Sequence, residues 1–506
     1  MSPLKIAGQP LTLEQIAGVA RGEVEFRLDA EARRRIEAAR GVVEKLIREN
    51  QTVYGLNTGF GKLASIHIPA GELEQLQVNL VRSHAAGVGN PLSEAETRAL
   101  MLLRANVLAA GYSGCRLLLV ETLLDMLARG VCPRIPEKGS VGASGDLAPL
   151  AHLALAVIGE GQCRYRDEFI ASADALQATK IAPLKLAAKE GLALLNGTQA
   201  MAAVGALALL RAERVAKLSD LAGAMSLEAL RGTPVAFDAR IHDARPHPGQ
   251  KASAKHLWDL LQNSPIRESH RTNDPRVQDA YCLRCMPQVH GAARSALAHA
   301  RATVEIESGS ATDNPLVFPS DGGGEILSGG NFHGAPLAQV YDYAAIALTD
   351  LMSIAERRID RLINPDINEG LPPFLSAQPG LSSGFMIAHV CAASLLNEAK
   401  VLAHPASVDN VPTSGGKEDH VSMGMTCALK LRQIVDNAEY VLAIELMTAA
   451  EGIEYLRPLR SSAPVEQAHA LVREVVPRLA QDRPLSPDIE ALAHSIQSGR
   501  FDEFID

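Results

Sequence analysis

Two long helical patterns constrain the fold of this chain most strongly. Residues 337–363 and 427–453 each continue well past the mean length of a helix in a globular protein. Aromatic residues make up only 4% of the 506 residues, with a single tryptophan, so the core must consist mostly of alanine and leucine. Such small aliphatic cores suit closely packed helices better than twisted sheets. We therefore expect a mainly α protein, folded as a large helical bundle.

The first third of the chain is more mixed, with short helices separated by loops. One helix there has clear ends, because Ser93 and Glu96 form a capping box and Gly111 is placed to close its C-terminus. No linker is long enough to separate free domains. We expect an N-terminal region over residues 1–200 and a long-helix and C-terminal helical region over residues 201–506.

Composition argues against several classes of partner. The net charge is −9 and no basic tract is present, which disfavours a nucleic-acid or anionic-membrane surface. The seven scattered cysteines are typical of reduced thiols in a cytoplasmic protein. Cys282 and Cys285 form a single C-x-x-C without the second pair that a zinc site needs. The N-terminus lacks the apolar region of a signal peptide.

The uncharged stretch 191–210 is long enough to approach the width of a bilayer. It contains the polar letters NGTQ, and much of the remainder is alanine or glycine, so insertion into a membrane would be weakly driven. We expect a helix that is buried on all sides within the bundle.

The segment GSVGASGDLAPLAHLAL, residues 139–155, places an Ala-Ser-Gly tripeptide immediately before a predicted helix. Asp146 stands at the N-cap position and Pro149 lies in the first turn, where its missing N–H does no harm. The tripeptide therefore faces the positive end of a helix dipole. A serine-hydrolase elbow would need glycine at the position of Asp146, which disfavours Ser144 as a nucleophile. A flexible loop leading into a helix is the plainer alternative.

This segment resembles the signature of the aromatic amino acid ammonia-lyases, a family with histidine, phenylalanine and tyrosine enzymes. In that family the tripeptide cyclises to 4-methylidene-imidazol-5-one (MIO), an electrophile built from the backbone. The resemblance implies that Ala143, Ser144 and Gly145 form this group while Asp146 holds the loop, and that neither pyridoxal phosphate nor a metal is needed. Gly145 suits the ring because it lacks a Cβ. Further motifs match the family in order along most of the chain: YGLNTGFG, SHAAGVG, ALLNGTQA, FDARIH, VQDAYCLRCMPQV, TDNPLVF, SGGNFHG, LPPFL and KEDHVSMG.

Two positions favour the histidine-specific members of the family. The pair Ser83-His84 stands where the tyrosine enzymes often have His-Leu and the phenylalanine enzymes Phe-Leu, and a polar pair resembles the histidine enzymes. Glu418 stands where both have glutamine, and a carboxylate accepts a hydrogen bond from an imidazole N–H more strongly than an amide does. The expected reaction is elimination of ammonia from L-histidine to give trans-urocanate. Lys417 and the Gly415-Gly416 pair depart from the family pattern, which leaves the fine specificity less secure.

The resemblance also implies roles for the remaining site residues. Arg284 matches the arginine that pairs with the substrate carboxylate, for which a planar guanidinium is suited. Tyr54 matches the tyrosine proposed as the base for the β-proton, with Glu418 as the less favoured alternative. Such a tyrosine needs a pKa well below its usual 10. Contacts to the prosthetic group are implied for Asn196 and Tyr281, and pocket contacts for Gln278 and Phe332.

The resemblance further implies a cytoplasmic homotetramer whose sites draw loops from several subunits. Two alternatives stay open at this point. One is a tyrosine or phenylalanine ammonia-lyase or aminomutase of the same family. The other is a helical scaffold that keeps the fold and lacks the prosthetic group.

Overall fold

The computed structural model describes residues 3–49, 51, 53, 55–59, 67–274 and 276–505. Within these residues it contains nineteen α-helices and nine short strands. The helices are α1 Leu13–Ala20, α2 Ala30–Arg48, α3 Leu73–His84, α4 Glu94–Ala109, α5 Leu117–Ala128, α6 Leu147–Val157, α7 Ser172–Ala178, α8 Glu190–Leu195, α9 Gln199–Ala229, α10 Ala239–Asp243, α11 Pro248–Leu260, α12 Pro265–Ser269, α13 Tyr281–Arg284, α14 Met286–Ser308, α15 Ala335–Ile363, α16 Met386–Leu402, α17 Gly424–Glu454, α18 Ala463–Val475 and α19 Ser486–Gln497. The strands are β1 Leu4–Ile6, β2 Phe26–Leu28, β3 Val88–Pro91, β4 Cys132–Pro133, β5 Pro136–Lys138, β6 Gln162–Tyr165, β7 Glu168–Ala171, β8 Leu316–Ser320 and β9 Gly323–Leu327.

The mainly α helical bundle expected from the sequence is confirmed. Helices α15 and α17 begin and end within a few residues of the two long predicted patterns. The capping box at the start of α4 is formed by Ser93 and Glu96, and Gly111 follows the helix with a φ of +85°.

The chain divides into two compact units, each built from three segments. The first unit comprises residues 1–208, 300–342 and 405–429. It contains all nine described strands, paired as β1–β2, β3–β5, β4–β6–β7 and β8–β9. Helix α4 lies within its core, because every residue from Glu96 to Ala109 except Arg98 is buried. The division at residue 200 that the sequence suggests stays a prediction.

The second unit comprises residues 209–299, 343–404 and 430–506, and its described secondary structure is helical. Its core is largely Ala, Leu, Ile and Val, as the composition predicts. One ion pair lies within that core: Arg358 and Glu445 are both fully buried, with Nε and Oε1 2.5 Å apart. The Arg358 guanidinium also lies 3.2 Å from His290 Nε2.

The stretch 191–210 is buried as expected, but the prediction of one continuous helix there is wrong. Helix α8 ends at Leu195 and α9 begins at Gln199, with an extended Asn196 and a Gly197 of φ +154° between them. At the break the backbone of Gly197 is not bonded within a helix, and it pairs instead with Gly145 of the tripeptide. No helix among the described residues is both long and apolar enough to cross a membrane.

Candidate active site

The Ala-Ser-Gly tripeptide lies beside the starts of two helices, α6 and α9. Asp146 occupies the N-cap position of α6, as predicted, yet its side chain makes no capping bond there. Its carboxylate instead accepts hydrogen bonds from Met201 N and Ser140 Oγ, both at 2.8 Å. Met201 lies in the first turn of α9, so Asp146 fixes that helix start against the loop. Full burial raises the pKa of Asp146 to about 6 against the effect of these hydrogen bonds.

The break between α8 and α9 forms the other side of the tripeptide. Asn196 Nδ2 donates to Ser144 O at 2.8 Å, and Asp146 N donates to Gly197 O at 2.7 Å. Gly145 has a φ of +71° and pairs with Gly197 in an isolated parallel bridge. A Cβ at Gly145 would lie 2.1 Å from Gly197 O. Only glycine fits at this position.

Glu418 faces the tripeptide from the loop before α17. Ser144 Oγ donates to Glu418 Oε1 at 2.6 Å, while the hydroxyls of Thr413 and Ser414 donate to Oε2 at 2.7 Å each. Partial burial acts to raise the pKa of Glu418, but the three hydroxyls and nearby His84 outweigh it and the net shift is downward. The carboxylate is therefore ionised at neutral pH and oriented by several donors.

The Gly415-Gly416 pair explains how this loop reaches Glu418. Both glycines have positive φ angles, +64° and +80°, which fold the loop into a tight turn. Thr413 N donates to Glu418 O at 2.8 Å across that turn. The departure from the family pattern thus builds an ordered turn that brings two hydroxyls to the carboxylate.

A cavity of about 870 Å³ opens above the tripeptide in the first unit. Its volume is in the range of small-molecule sites. His84 contributes from the end of α3, where its Nδ1 lies 2.8 Å from Leu80 O. A carbonyl can only accept, so His84 Nδ1 carries hydrogen and donates to Leu80 O. The described lining includes Leu76, Leu80, Ser83, His84, Ala143, Ser144, Leu192, Leu195, Asn196, Asn314, Phe332, His333, Lys417, Glu418 and His420.

Two further histidines form one wall of this cavity. The rings of His333 and His420 stack with centroids 5.7 Å apart and planes 6° from parallel. His333 Nε2 donates to His420 O at 3.2 Å, and its Nδ1 accepts from Ala335 N at 3.3 Å. These contacts hold the His333 ring against the loop that carries Glu418 and His420.

These residues fit the prosthetic group that the sequence implies. The close approach of Gly145 to Gly197 leaves no space for a Cβ, and ring closure through the nitrogen of a glycine needs none. Asn196 Oδ1 is buried and, among the described residues, has no hydrogen-bond partner, although Nδ2 of the same side chain holds the tripeptide. A buried amide oxygen without a partner suggests a group that differs from the linear tripeptide.

Comparison with known proteins agrees with this geometry. A family model described as aromatic amino acid lyase matches residues 11–474. The chain belongs to the aromatic amino acid lyase family. The family assignment made from the motifs is therefore confirmed, as is the enzyme class, a carbon–nitrogen lyase.

Different relatives of this lyase have different activities. A histidine ammonia-lyase of Anaeromyxobacter sp. (strain K) is 54% identical over 99% of both chains. The crystal structure of histidine ammonia-lyase from Trypanosoma cruzi is 44% identical, with a TM-score of 0.92, and the match covers 100% of this chain and 95% of that one. Tyrosine aminomutase from Streptomyces globisporus is 38% identical with a TM-score of 0.94, covering 100% and 98%. The backbone alone therefore does not discriminate between substrates.

The structure brings most of the predicted site residues of the lyase together. His84, Ala143, Ser144, Asn196, Phe332 and Glu418 line one cavity, with Gly145 and Asp146 directly adjoining them in the chain. Tyr54, the predicted base, lies outside the described residues.

The other three predicted residues belong to the second unit. Gln278, Tyr281 and Arg284 are not among the described residues that line the cavity. The Arg284 guanidinium carbon lies 4.5 Å from the centre of the Tyr281 ring, a cation–π arrangement. Tyr281 is 70% exposed in the isolated chain, and neighbouring Val277 is 99% exposed. The exposed Tyr281 ring therefore lies against the Arg284 guanidinium.

Sequence reasoning missed the residues that hold the site residues in place. Thr413 and Ser414 orient Glu418, and Ser422 Oγ donates to Gly142 O at 3.0 Å beneath the tripeptide. Arg104, a fully buried arginine in α4, contacts the α8–α9 break. A charged residue inside an otherwise apolar helical pattern is the signal that could have identified Arg104.

Proposed function

We propose that this chain acts as a histidine ammonia-lyase, converting L-histidine into trans-urocanate and ammonia. The observation that carries the proposal is that an ionised Glu418 and His84 both line the cavity that contains the tripeptide. The high identity to histidine ammonia-lyases over the full chain supports the same substrate. A tyrosine or phenylalanine enzyme of this family would be expected to have an amide in place of Glu418.

The proposed prosthetic group is MIO, formed from Ala143, Ser144 and Gly145. It supplies an electrophile that activates the substrate for loss of ammonia. The surrounding residues hold it: Asn196 donates to Ser144 O, Asp146 anchors the loop to α9, and the starts of α6 and α9 direct positive dipole ends towards it.

The remaining residues bind and orient the substrate. Glu418 accepts a hydrogen bond from an imidazole N–H, and His84 Nε2 accepts a second from the ring or its water shell. Phe332 packs against the ring. Arg284 pairs with the carboxylate, Gln278 contacts the substrate, and Tyr281 contacts the prosthetic group. Tyr54 is the proposed base for the β-proton.

We further propose a homotetramer whose sites combine residues of different subunits. The exposure of Val277 and Tyr281 supports this, because apolar side chains of that size are normally covered by a partner. A cytoplasmic location is supported by the seven cysteines, which are all free in the structure.

The purified protein should turn over L-histidine with a kcat/KM far above that for L-tyrosine or L-phenylalanine. Absorbance of urocanate, coumarate and cinnamate measures the three reactions, and tests for β-amino acid products detect an aminomutase. Ser144→Ala should abolish turnover and keep the helical circular dichroism of the parent. A preference for tyrosine or phenylalanine would contradict the histidine assignment.

A further inference from the structure

Arg104 is a fully buried cation whose donors converge on the break between α8 and α9. Its Nη1 donates to Asn196 O at 2.9 Å and to Gln199 Oε1 at 2.5 Å, and its Nη2 donates to Ala193 O. The last carbonyls of a helix have no partner within the helix. Arg104 therefore satisfies the C-terminal carbonyls of α8 with a positive charge, which also suits the helix dipole.

The same break contacts the tripeptide on its opposite side. Gly197 lies between the two: a Cβ there would be 2.4 Å from Arg104 Nη1, and a Cβ at Gly145 would be 2.1 Å from Gly197 O. Gln199, the second side chain held by Arg104, donates from Nε2 to Thr312 Oγ1 at 2.7 Å and so is fixed in turn. The guanidinium, the α8–α9 break and the tripeptide thus form three layers in direct contact.

We propose that Arg104 is a positioning residue for ring closure of the tripeptide, holding Asn196 and Gly197 against Ser144 and Gly145. The inference rests on the proposed function. In ring closure Gly145 N bonds to the carbonyl carbon of Ala143. One water leaves with that carbonyl oxygen and the hydrogens of the Gly145 and Ser144 nitrogens. A second leaves with the Ser144 hydroxyl and its Cα hydrogen, so no oxidant is required.

The need for such support follows from the geometry of the reaction. An amide nitrogen is a poor nucleophile. Ring closure therefore depends on a structure that keeps the Gly145 nitrogen close to the Ala143 carbonyl carbon. The planar guanidinium binds the break through two nitrogens at a fixed angle, which the single ammonium of lysine cannot reproduce. Loosening Asn196 and Gly197 would leave the tripeptide free to relax away from the closed geometry.

Arg98 provides a matched control in the same helix. It too donates to three backbone carbonyls at helix ends: Ala20 O at 3.0 Å, Leu127 O at 3.1 Å and Val19 O at 3.1 Å. None of these acceptors adjoins the tripeptide in the chain. Replacing Arg98 should therefore cost stability without affecting ring closure.

The test is the intact mass of Arg104→Met, Arg104→Lys, Arg98→Met and the parent, each purified as the full chain and checked by circular dichroism. The parent should be lighter than its sequence by two waters. Folded Arg104→Met should be mostly at the uncyclised mass and should close, during incubation, slower by roughly one to two orders of magnitude. Arg104→Lys should be intermediate, and Arg98→Met should match the parent.

Each contrary result has a separate meaning. A parent chain at its full sequence mass would overturn the proposed prosthetic group and this inference with it. A parent that is light, with a folded Arg104→Met that is equally light, would overturn the role of Arg104 alone. If Arg98→Met is uncyclised to the same degree, the loss of ring closure in Arg104→Met reflects general destabilisation. That result would also overturn the proposed role of Arg104. If Arg104→Met does not fold, folded Arg104→Lys is judged by the same criterion.

Discussion

At the scale of single residues, the site depends on a few polar atoms with fixed partners. Glu418 accepts from three hydroxyls, and Asp146 is fully enclosed with a donor on each oxygen. Because an ionised carboxylate loses much of its hydration in such surroundings, these donors are required to keep it charged. We propose that the charge on Glu418 is the feature that separates a site for imidazole from one for a phenyl ring.

Glu418→Gln tests that distinction. The amide keeps the shape of the side chain but accepts a hydrogen bond from imidazole less strongly, so kcat/KM for histidine should fall by about 10²-fold, or about 3 kcal/mol. Any residual turnover of tyrosine should fall less. Steady-state kinetics on both substrates measures the effect. Asp419→Asn, which removes the neighbouring acidic charge, is the control, and an equal loss in it would count against a specific role for Glu418.

At the scale of elements, the important feature is the interruption between α8 and α9. A continuous helix would bond the Asn196 and Gly197 backbone within itself, and neither would be available to the tripeptide. Gly197 has a φ of +154° and no space for a side chain. The interruption therefore requires glycine at this position.

Gly197→Ala should damage both folding and ring closure. Its Cβ would lie 2.3 Å from Gln199 Oε1 and 2.4 Å from Arg104 Nη1, so we expect a loss of about 2 kcal/mol or more in the free energy of unfolding. Gly41→Ala is the counterpart in α2, where nothing lies within 4 Å of the added Cβ, and it should stabilise by about 0.5–1 kcal/mol. Chemical denaturation measures both, and a Gly197→Ala chain of parental stability would contradict the close packing.

At the scale of the whole molecule, the proposed site residues fall into two sets. One set lines the cavity of the first unit. The other, Gln278, Tyr281 and Arg284, lies in the second unit beside exposed apolar side chains. In a symmetric oligomer a residue of one subunit can complete the site of another. We propose that arrangement here.

Subunit complementation tests it. Ser144→Ala and Arg284→Met should each be inactive alone. If a site takes its tripeptide and its arginine from different subunits, co-expression should restore about a quarter of the parental activity, because random assembly gives that share of intact sites. Activity of mixed oligomers purified by two different tags measures it. No recovery, with mixed oligomers present, would place both residues of a site in one chain.

Much of the fold and part of the site could be predicted from the sequence. The long apolar periodicities gave α15 and α17, and the capping box gave the start of α4, because these signals are local. The α8–α9 break was missed since its cause, the contact of Gly197 with Gly145, is distant in sequence. Thr413 and Ser414 were missed for the same reason, because their roles arise from tertiary neighbours. The apolar pattern around Arg104 marks it as unusual, but its contact with the α8–α9 break is visible only in the structure.

The hydrogen bond from Ser144 to Glu418 links ring closure to substrate binding. Before the proposed ring closure, Oε1 of Glu418 accepts a hydrogen bond from the hydroxyl that this reaction would expel. Ring closure would thus free this oxygen in the same step that forms the electrophile. A chain that has not yet closed the ring would bind histidine more weakly. In the precursor, the Ser144 hydroxyl would therefore block the substrate-binding oxygen of Glu418 until it leaves as water.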